Sequence, residues 1–348
     1  MILRPRILFI ANAGPQVGGG HVMRSLTLAR ALAQHGADCV FLASPAVAAI
    51  LDAFGPELGR EEAVSLDPTA IVRGAVGMQF DAVVFDHYGL SRTEHEAIAD
   101  GRPAMVIDDL ADRPLGGALV LDPGPARTAD DYAEWVSEDT RLLLGPQYAP
   151  VRPEFAALRE QAISRRGGPV ERVLIALGLT DVGGVTSRVV DRLRQRHGQV
   201  AFDVVLGSGA PSLPGLMRVA AHDPRVQVHV DAQDMADLTL AADVAVGAGG
   251  STVWERCTLG LPSALVVLAE NQWPAAKALA DREAALVVDI AQGDFEAALD
   301  RVSVRLIRDA ACRARLTAAS LELCDGLGAE RTAGAFLEVL SAGAQRRR

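Results

Sequence analysis

The chain has 348 residues, which at roughly 150 residues per domain predicts about two domains. Apolar residues make up 49% of the chain and charged residues 22%, so a folded globular protein is expected and a disordered one is excluded. A net charge of −10 lacks the positive field of a nucleic-acid-binding protein or of one that binds anionic membrane surfaces.

The four cysteines are far apart in the sequence, so neither a CxxC metal or redox pair nor a disulfide framework is predicted. No stretch approaches 18 uninterrupted apolar residues, and the first apolar run is too short for a signal peptide. We therefore expect a cytoplasmic protein that does not insert into a membrane. The oligomeric state is left open.

The first half begins with a strand, a glycine-rich turn, a helix and a second strand. Residues 7–11 are an apolar run, Gly18–Gly20 form the turn, and residues 21–35 have helical spacing before the strand at 38–42. This is one βαβ unit, the start of a parallel sheet. Continuous apolar runs typical of buried parallel strands follow at 82–85, 104–107 and 118–121.

The same order of strand, glycine-rich turn and helix starts again after residue 171. Strands are predicted at residues 172–177, 202–206, 226–230, 244–246 and 264–268. The polar segment 164–169 before them predicts a linker, which gives an N-terminal domain at 1–163 and a C-terminal domain at 164–348. The expected fold is two Rossmann-like α/β domains with the ligand in the cleft between them.

The first candidate cluster lies where the first strand ends and the first helix begins. Gly20 lets the backbone approach a ligand, and His21 would lie in the first helical turn with Arg24 one turn further on. The helix dipole there favours a neutral imidazole that can act as a base. The same residues would also serve as an ordinary helix start.

A second cluster directly follows the strand at 82–85. Asp86, His87 and Tyr88 would stand at the carboxyl edge of the sheet, where they could form an acid–base or hydrogen-bonding set facing His21. A capped turn with a surface tyrosine is the alternative. Only two ligand types cluster here, so no metal site is predicted.

The glycine-rich loop at 247–250 is the strongest candidate for a nucleotide site. A strand enters it and a helix leaves it, so Gly249, Gly250, Ser251 and Thr252 would surround a diphosphate. Glu255, one turn into the helix, could accept hydrogen bonds from a ribose diol. Tight packing of the loop alone is the alternative.

Three further loops follow strands of the second half. Asn271 and Gln272 carry both donors and acceptors, as recognition of sugar hydroxyls or amides requires. Gly178 and Thr180 lie in a second loop on the phosphate side, and the stretch around Val230 could present backbone groups to a base. Each could equally be an ordinary polar loop. Asp108 and Asp109 are interpreted only as acids at the end of a strand.

Together these motifs resemble the UDP-sugar hydrolases of the pseudaminic acid pathway, whose fold is that of GT-B glycosyltransferases. The resemblance runs from about residue 6 to about residue 290. It rests on five segments in the same order and spacing as the family's: Val17–Arg24, Asp86–Gly89, Leu144–Ala149, Gly247–Cys257 and Asn271–Gln272.

The resemblance implies hydrolysis of UDP-2,4-diacetamido-2,4,6-trideoxy-β-L-altropyranose at C1, with inversion and without a cofactor or metal. It carries the family's base or water-orienting histidine over to His21, its active-site tyrosine to Tyr88 and its substrate-binding asparagine to Asn271. UDP recognition is carried over to Gly249, Gly250, Ser251 and Glu255. One departure is Leu179, which replaces a glycine of the family's Gly-Gly-Thr-Asp turn.

The sequence leaves three other functions open. A glycosyltransferase on the same scaffold differs only in whether water or an acceptor hydroxyl attacks C1. A nucleotide-sugar 2-epimerase has a similar architecture, and a UDP-sugar sensor would bind without turnover. The exact sugar stereochemistry and the glycan that the product enters, such as a flagellin or surface glycan, are not specified by the sequence.

Overall fold

The computed structural model describes residues 4–14, 17–63, 65, 67–75 and 77–346. They form two compact units. The first comprises the chain up to Pro150 together with the C-terminal segment from Leu327, and the second is Val151–Gly326.

The first unit contains a seven-stranded parallel sheet in the order β3-β2-β1-β4-β5-β6-β7. Helices connect most of its strands, and a one-turn 3-10 helix follows the last strand at Pro146–Tyr148. The elements in chain order are β1 (Arg6–Ala11), α1 (Gly20–Gln34), β2 (Asp38–Ala43), α2 (Pro45–Phe54), β3 (Gly59–Glu62), α3 (Pro68–Ala75), β4 (Ala82–Asp86), α4 (Arg92–Ala99), β5 (Ala104–Ile107), β6 (Leu119–Asp122), α5 (Ala129–Tyr132) and β7 (Arg141–Leu144).

The second unit contains a six-stranded parallel sheet in the order β10-β9-β8-β11-β12-β13. Two short 3-10 helices, Val182–Gly184 and Glu270–Gln272, lie in the loops after β8 and β12. The elements are α6 (Pro153–Arg165), β8 (Arg172–Ala176), α7 (Val185–Arg196), β9 (Ala201–Leu206), α8 (Leu213–His222), β10 (Val226–Val230), α9 (Met235–Ala241), β11 (Val244–Ala248), α10 (Thr252–Thr258), β12 (Ser263–Val267), α11 (Trp273–Asp281), β13 (Leu286–Asp289), α12 (Phe295–Arg308) and α13 (Ala310–Leu323).

The burial of the central strands explains why their sequences are continuously apolar. All five residues of β4 and of β12 are buried, and β1 is buried from its second residue on. Strands of a parallel sheet that is covered on both faces have no polar side. The strands predicted at 7–11, 38–42, 82–85 and 104–107 are confirmed.

The structure divides the chain at different positions from the expected 163/164 boundary. That boundary falls inside α6, which packs against α9 and α10 of the second unit. The C-terminal helix α14 (Gly328–Arg346) returns to the first unit, where it packs on α1 and buries Phe336 completely. A Cβ at Gly328 would lie 2.2 Å from the carbonyl oxygen of Ala149, so only glycine permits this close approach.

Candidate functional site

The residues of the first predicted cluster lie where the order of the first sheet changes direction. β2 lies on one side of β1 and β4 on the other, so β1 and β4 flank the switch point at which ligands of open α/β sheets bind. His21 is the second residue of α1, which follows β1, and Asp86 is the last residue of β4. The topology therefore brings together two motifs that are 65 residues apart.

Asp86 is the centre of this cluster, and both of its oxygens accept several hydrogen bonds. Its Oδ1 lies 2.5 Å from His21 Nδ1 and accepts from Arg24 Nη2 at 2.6 Å. Its Oδ2 accepts from Arg24 Nε at 2.7 Å and from Ser25 Oγ at 3.1 Å. Burial alone would raise the pKa of Asp86, but Arg24 and His21 outweigh it and hold the pKa well below its usual range. The carboxylate is therefore ionised.

The ionised carboxylate determines the tautomer of His21. Asp86 has no hydrogen to donate, so His21 Nδ1 carries the proton and donates it. Arg24 Nη2 is 3.2 Å from the same nitrogen and directs its hydrogen to Asp86. Among the residues that the structure describes, none bonds to His21 Nε2, which is left with a free lone pair. A histidine held in this way by a carboxylate is the arrangement of a general base.

Tyr88 packs against His21 and bonds to a residue outside the predicted set. The two rings meet edge to face, with centroids 4.5 Å apart. The Tyr88 hydroxyl donates a very short hydrogen bond to Asp109 Oδ1, and Arg24 Nη1 donates to Asp109 Oδ2 at 2.9 Å. Burial, followed by the charge of Asp109, raises the pKa of the Tyr88 phenol far above its usual value, so Tyr88 stays neutral.

The other predicted residues of the first unit have different surroundings. His87 is buried in the turn after β4, where its Nδ1 accepts from the backbone N–H of Gly89 at 3.1 Å. Gly20 is the first residue of α1, and nothing lies within 4 Å of the position that its Cβ would take. That open space leaves room for a ligand beside the start of α1.

In the second unit the glycine-rich loop follows β11, next to β8 at the second switch point. Gly247 is required by the buried side chain of Arg256, because a Cβ there would lie 2.4 Å from Arg256 Nη1. The Arg256 guanidinium donates to Ala248 O at 2.9 Å and to Thr252 Oγ1 at 3.1 Å. Burial lowers the pKa of Arg256 to about 10. These two bonds join the end of β11 to the start of α10, on either side of Gly249, Gly250 and Ser251.

One carboxylate oxygen of Glu255 accepts a hydrogen bond within the chain, and the other has no partner among the described residues. Its Oε1 accepts from Arg152 Nε at 2.8 Å, and each of the two side chains is only 11% exposed. Its Oε2 is buried and has no hydrogen-bond partner among the described residues. A buried unpaired carboxylate oxygen is costly and indicates a donor supplied from outside the chain.

The remaining loop residues lie at the carboxyl ends of their strands, as predicted. Gln272 Oε1 accepts from Leu268 N at 3.0 Å and lies beside Gly249, whereas Asn271 is exposed. Val230 ends β10 and is 40% exposed, but β9 and β8 separate that strand from β11. The contacts therefore join Gln272 to the glycine-rich loop and leave Val230 apart from it.

Leu179, which replaces a glycine of the related family's turn, does not adopt a left-handed backbone conformation. Gly178 has a φ of +106° and Asp181 a φ of 46°, so the turn takes its positive φ angles on either side of Leu179 and Thr180. The buried carboxylate of Asp181 accepts from Thr186 N at 2.9 Å and Ser212 N at 3.0 Å. These bonds fix the loop that carries Gly178 and Thr180.

Two kinds of feature are absent from the described ranges. No helix in them is both long and apolar enough to cross a membrane. They also contain no group of three or more His, Cys, Asp or Glu side chains that could hold a metal ion.

The fold is that of the GT-B glycosyltransferases. MurG of Acinetobacter baumannii superposes with a TM-score of 0.60 at 17% identity, covering 99% of this chain and 100% of that one. The spinosyn rhamnosyltransferase SpnG gives 0.67 at 14% identity over 97% and 100% of the chains. MnaA of S. aureus, solved with UDP, gives 0.67 at 14% identity over 97% of each chain. These identities show the fold alone.

Sequence comparison confirms the resemblance predicted from the motifs. The chain is 23% identical over 282 residues, 80% of its length, to the UDP-2,4-diacetamido-2,4,6-trideoxy-β-L-altropyranose hydrolase of Campylobacter jejuni, 97% of which is covered. It is 26% identical over 299 residues to the spore coat polysaccharide biosynthesis protein SpsG of Bacillus subtilis, covering 82% and 83% of the two chains.

An uncharacterised protein of Methanocaldococcus jannaschii, MJ1062, is also similar, with 23% identity over 288 residues. The match covers 77% of this chain and 56% of that protein, so the chain spans little more than half of the archaeal protein's length. No model of a known protein family matches the chain.

Sequence reasoning missed two residues of these sites. Asp109 follows β5, the neighbour of β4, and its position just after a buried strand was the signal that could have found it. Arg152 lies just before α6, 103 residues from its partner Glu255, and no local pattern marks it.

Proposed function

We propose that the chain hydrolyses the C1–O bond of a UDP-linked 2,4-diacetamido-2,4,6-trideoxy sugar of the β-L-altro configuration, with inversion at C1. The single observation that carries the proposal is the His21–Asp86 pair, in which an ionised carboxylate leaves His21 Nε2 free to act as a base. The similarity to the C. jejuni hydrolase over 80% of the chain supports this substrate and reaction.

In the proposed reaction His21 activates a water molecule. Nε2 takes one proton from the water as its oxygen attacks C1, on the face opposite the leaving group. The electrons of the C1–O bond pass to the β-phosphate oxygen, so UDP leaves and the sugar is released with an inverted anomeric hydroxyl. Asp86 stabilises the imidazolium that forms, which then returns its proton to solvent.

The second unit is proposed to hold the nucleotide. Gly249, Gly250, Ser251 and Thr252 would bind the diphosphate through backbone and hydroxyl groups, and the orphan Oε2 of Glu255 would accept from the ribose. Gly178, Thr180 and Val230 would contribute backbone contacts to UDP. For the sugar we propose contacts from Arg24, Asn271 and Gln272, with Gly20 leaving space beside it.

Proton NMR of an incubation with the proposed substrate tests this function. UDP-N-acetylglucosamine runs beside it, and a duplicate contains EDTA because no step is assigned to a metal. We expect UDP and free sugar of inverted configuration from the first substrate alone, with C2 unchanged, which also excludes an epimerase. Turnover of both nucleotide sugars, or of neither, contradicts the substrate assignment.

The same assay with two histidine variants tests the base. His21→Asn is expected to lose at least about 100-fold in kcat, since a general base contributes roughly 10²–10⁴-fold. His35→Asn is the matched control, because that histidine ends the same helix and makes an exposed pair with Glu330. Unchanged turnover by His21→Asn would contradict the role of His21.

A glycosyltransferase is the second candidate function, favoured by the likeness to MurG and SpnG in fold. It predicts negligible release of UDP until an acceptor with a free hydroxyl is added. A sugar transferred to that acceptor, with no hydrolysis in its absence, would replace the hydrolase proposal.

A further inference from the structure

Asp109 contacts two residues of the site and belongs to no predicted motif. Its Oδ1 accepts from the Tyr88 hydroxyl, and its Oδ2 accepts from Arg24 Nη1 at 2.9 Å. Its backbone carbonyl accepts from Arg127 Nε at 3.0 Å, which holds this part of the loop after β5 in place. Asp109 thus links the tyrosine that packs on His21 to the arginine that binds Asp86.

The neighbouring acid, Asp108, makes hydrogen bonds to a different set of groups. Its Oδ2 accepts from the backbone N–H groups of Leu110 at 3.1 Å and Ala111 at 2.8 Å, and its Oδ1 accepts from Arg113 Nη1 at 2.7 Å. Those bonds shape the turn in which Ala111 has a φ of 50°. Asp108 is a structural acid, whereas Asp109 points its carboxylate at Tyr88 and Arg24.

The direction of the hydrogen bond between Tyr88 and Asp109 follows from charge. Burial would raise the pKa of Asp109, but the Arg24 guanidinium and the Tyr88 hydroxyl outweigh it and lower the pKa. An ionised carboxylate cannot donate, so the single O–H of Tyr88 is committed to Asp109. Among the described residues none donates a hydrogen bond to the Tyr88 oxygen, so any group that binds to it must bring its own hydrogen.

We propose that Asp109 is a positioning residue that makes Tyr88 a hydrogen-bond acceptor for an acetamido N–H of the sugar. This deepens the proposed function and rests on it, since that substrate carries two acetamido groups. A group that can only accept, such as an ester or carbonyl oxygen, does not satisfy the Tyr88 oxygen, whereas an acetamido N–H does. The pair therefore selects for a donor at this position of the sugar.

Kinetics of four variants and the wild type test the role of Asp109. Asp109→Asn, Tyr88→Phe, their double variant and the control Asp130→Asn are compared with wild type, after thermal melts establish that each is folded. Asp130 is an exposed acid in α5 of the same unit, so it undergoes the same change away from the site. For Asp109→Asn we expect KM to rise about 3- to 10-fold with kcat within about twofold, as for loss of a hydrogen bond made equally in ground and transition states.

The double variant separates Tyr88 from Arg24. If Asp109 acts through Tyr88, then Asp109→Asn adds less than about twofold to KM in the Tyr88→Phe background. Arg24 donates to Asp86 through Nε and Nη2, and none of these variants changes either residue. An effect of Asp109→Asn that is the same size in both backgrounds, or that falls on kcat alone, overturns the proposal.

Two substrate analogues identify the donor. In one the 2-acetamido group is replaced by an O-acetyl ester, and in the other the 4-acetamido group is replaced; each ester lacks the N–H. We expect one analogue to raise the KM of the wild type as much as the Tyr88→Phe substitution does. The same analogue should not raise the KM of the Tyr88→Phe variant any further. If neither ester changes KM while Tyr88→Phe raises it, the donor is not an acetamido group and the proposal fails. A wild type that does not hydrolyse the parent substrate would instead contradict the proposed function.

Discussion

His21 Nδ1 lies 2.5 Å from Asp86 Oδ1, and the carboxylate is ionised because Arg24 donates two hydrogen bonds to it. The pair joins the start of α1 to the end of β4, two rigid elements on either side of the switch point of the first sheet. The imidazole is therefore held in one tautomer and one orientation before any substrate binds, which is what a general base requires.

The first prediction concerns Asp86. Asp86→Asn should lower kcat about 10²- to 10⁴-fold, because the amide no longer stabilises the imidazolium and can donate to Nδ1, which exposes the wrong tautomer. Steady-state kinetics of UDP release measures the loss. Asp130→Asn should keep wild-type kcat, and a fully active Asp86→Asn protein would rule out the pair as the base.

The second prediction concerns the Arg152–Glu255 pair. Arg152→Met and Glu255→Gln should each weaken UDP binding about 10-fold or more, since hydrogen bonds to charged groups are worth about 1.5–3 kcal/mol. Titration calorimetry with UDP and with its 2′,3′-dideoxyribose analogue measures this. Neither variant should weaken binding of the analogue. An equal loss for both nucleotides would mean that Glu255 does not contact the ribose.

The third prediction concerns the packing of Arg256 against Gly247, the first residue of the glycine-rich loop. In Gly247→Ala the new Cβ would lie 2.4 Å from Arg256 Nη1 and 3.1 Å from the carbonyl oxygen of Ala176, so the free energy of unfolding should fall by about 1–3 kcal/mol. Urea denaturation measures it. At Gly198 nothing lies within 4 Å of a Cβ, and Gly198→Ala should change stability by less than about 0.5 kcal/mol. Equal stabilities of the two variants would contradict the packing described here.

The fourth prediction is a pH dependence of stability. Burial, followed by the charge of Asp109, raises the pKa of Asp122 to about 6, above its usual 3.8. Between these values the folded state binds more protons than the unfolded state, so this group makes the folded state less stable as the pH rises.

Asp122→Asn removes that titration. The amide can still accept from Gly124 N, which lies 2.6 Å from Asp122 Oδ1, and it can donate to the Tyr132 hydroxyl near Oδ2. We expect a gain in the free energy of unfolding on the order of 1 kcal/mol at pH 7 that disappears below about pH 4. Urea denaturation across this range measures it, and a gain that is independent of pH would contradict the assignment.

The sequence predicts the central strands well because they are buried on both faces, and their apolar runs carry that information locally. The edge strand β3 is Gly59–Glu62, and its charged residues give no such signal. Charged residues on an exposed edge strand prevent it from pairing with other chains. The same charged residues remove the apolar run by which a strand is predicted from sequence. The packing of α14 on the first unit depends on contacts with Ala149 and α1, and no local sequence pattern predicts these contacts.

In the candidate site, too, some residues are marked by the local sequence and others only by their tertiary contacts. His21 and Asp86 could be placed near each other because each ends or begins a predicted element at one sheet edge. The position of Asp109 after a buried strand marks it as a candidate, but its role comes from Tyr88, which the fold brings to it. No local pattern marks Arg152, whose partner is Glu255. The cytoplasmic location stays a prediction.

Hydrolysis of the diacetamido-trideoxy nucleotide sugar in water enriched with ¹⁸O tests the central claim most directly. Attack of a His21-activated water on C1 predicts one ¹⁸O atom in the free sugar and none in UDP. His21→Asn should form the labelled sugar at least about 100-fold more slowly. Mass spectrometry of the two products reads this out. Label in UDP would show that water attacks phosphorus and not C1, and it would contradict the mechanism proposed for this chain.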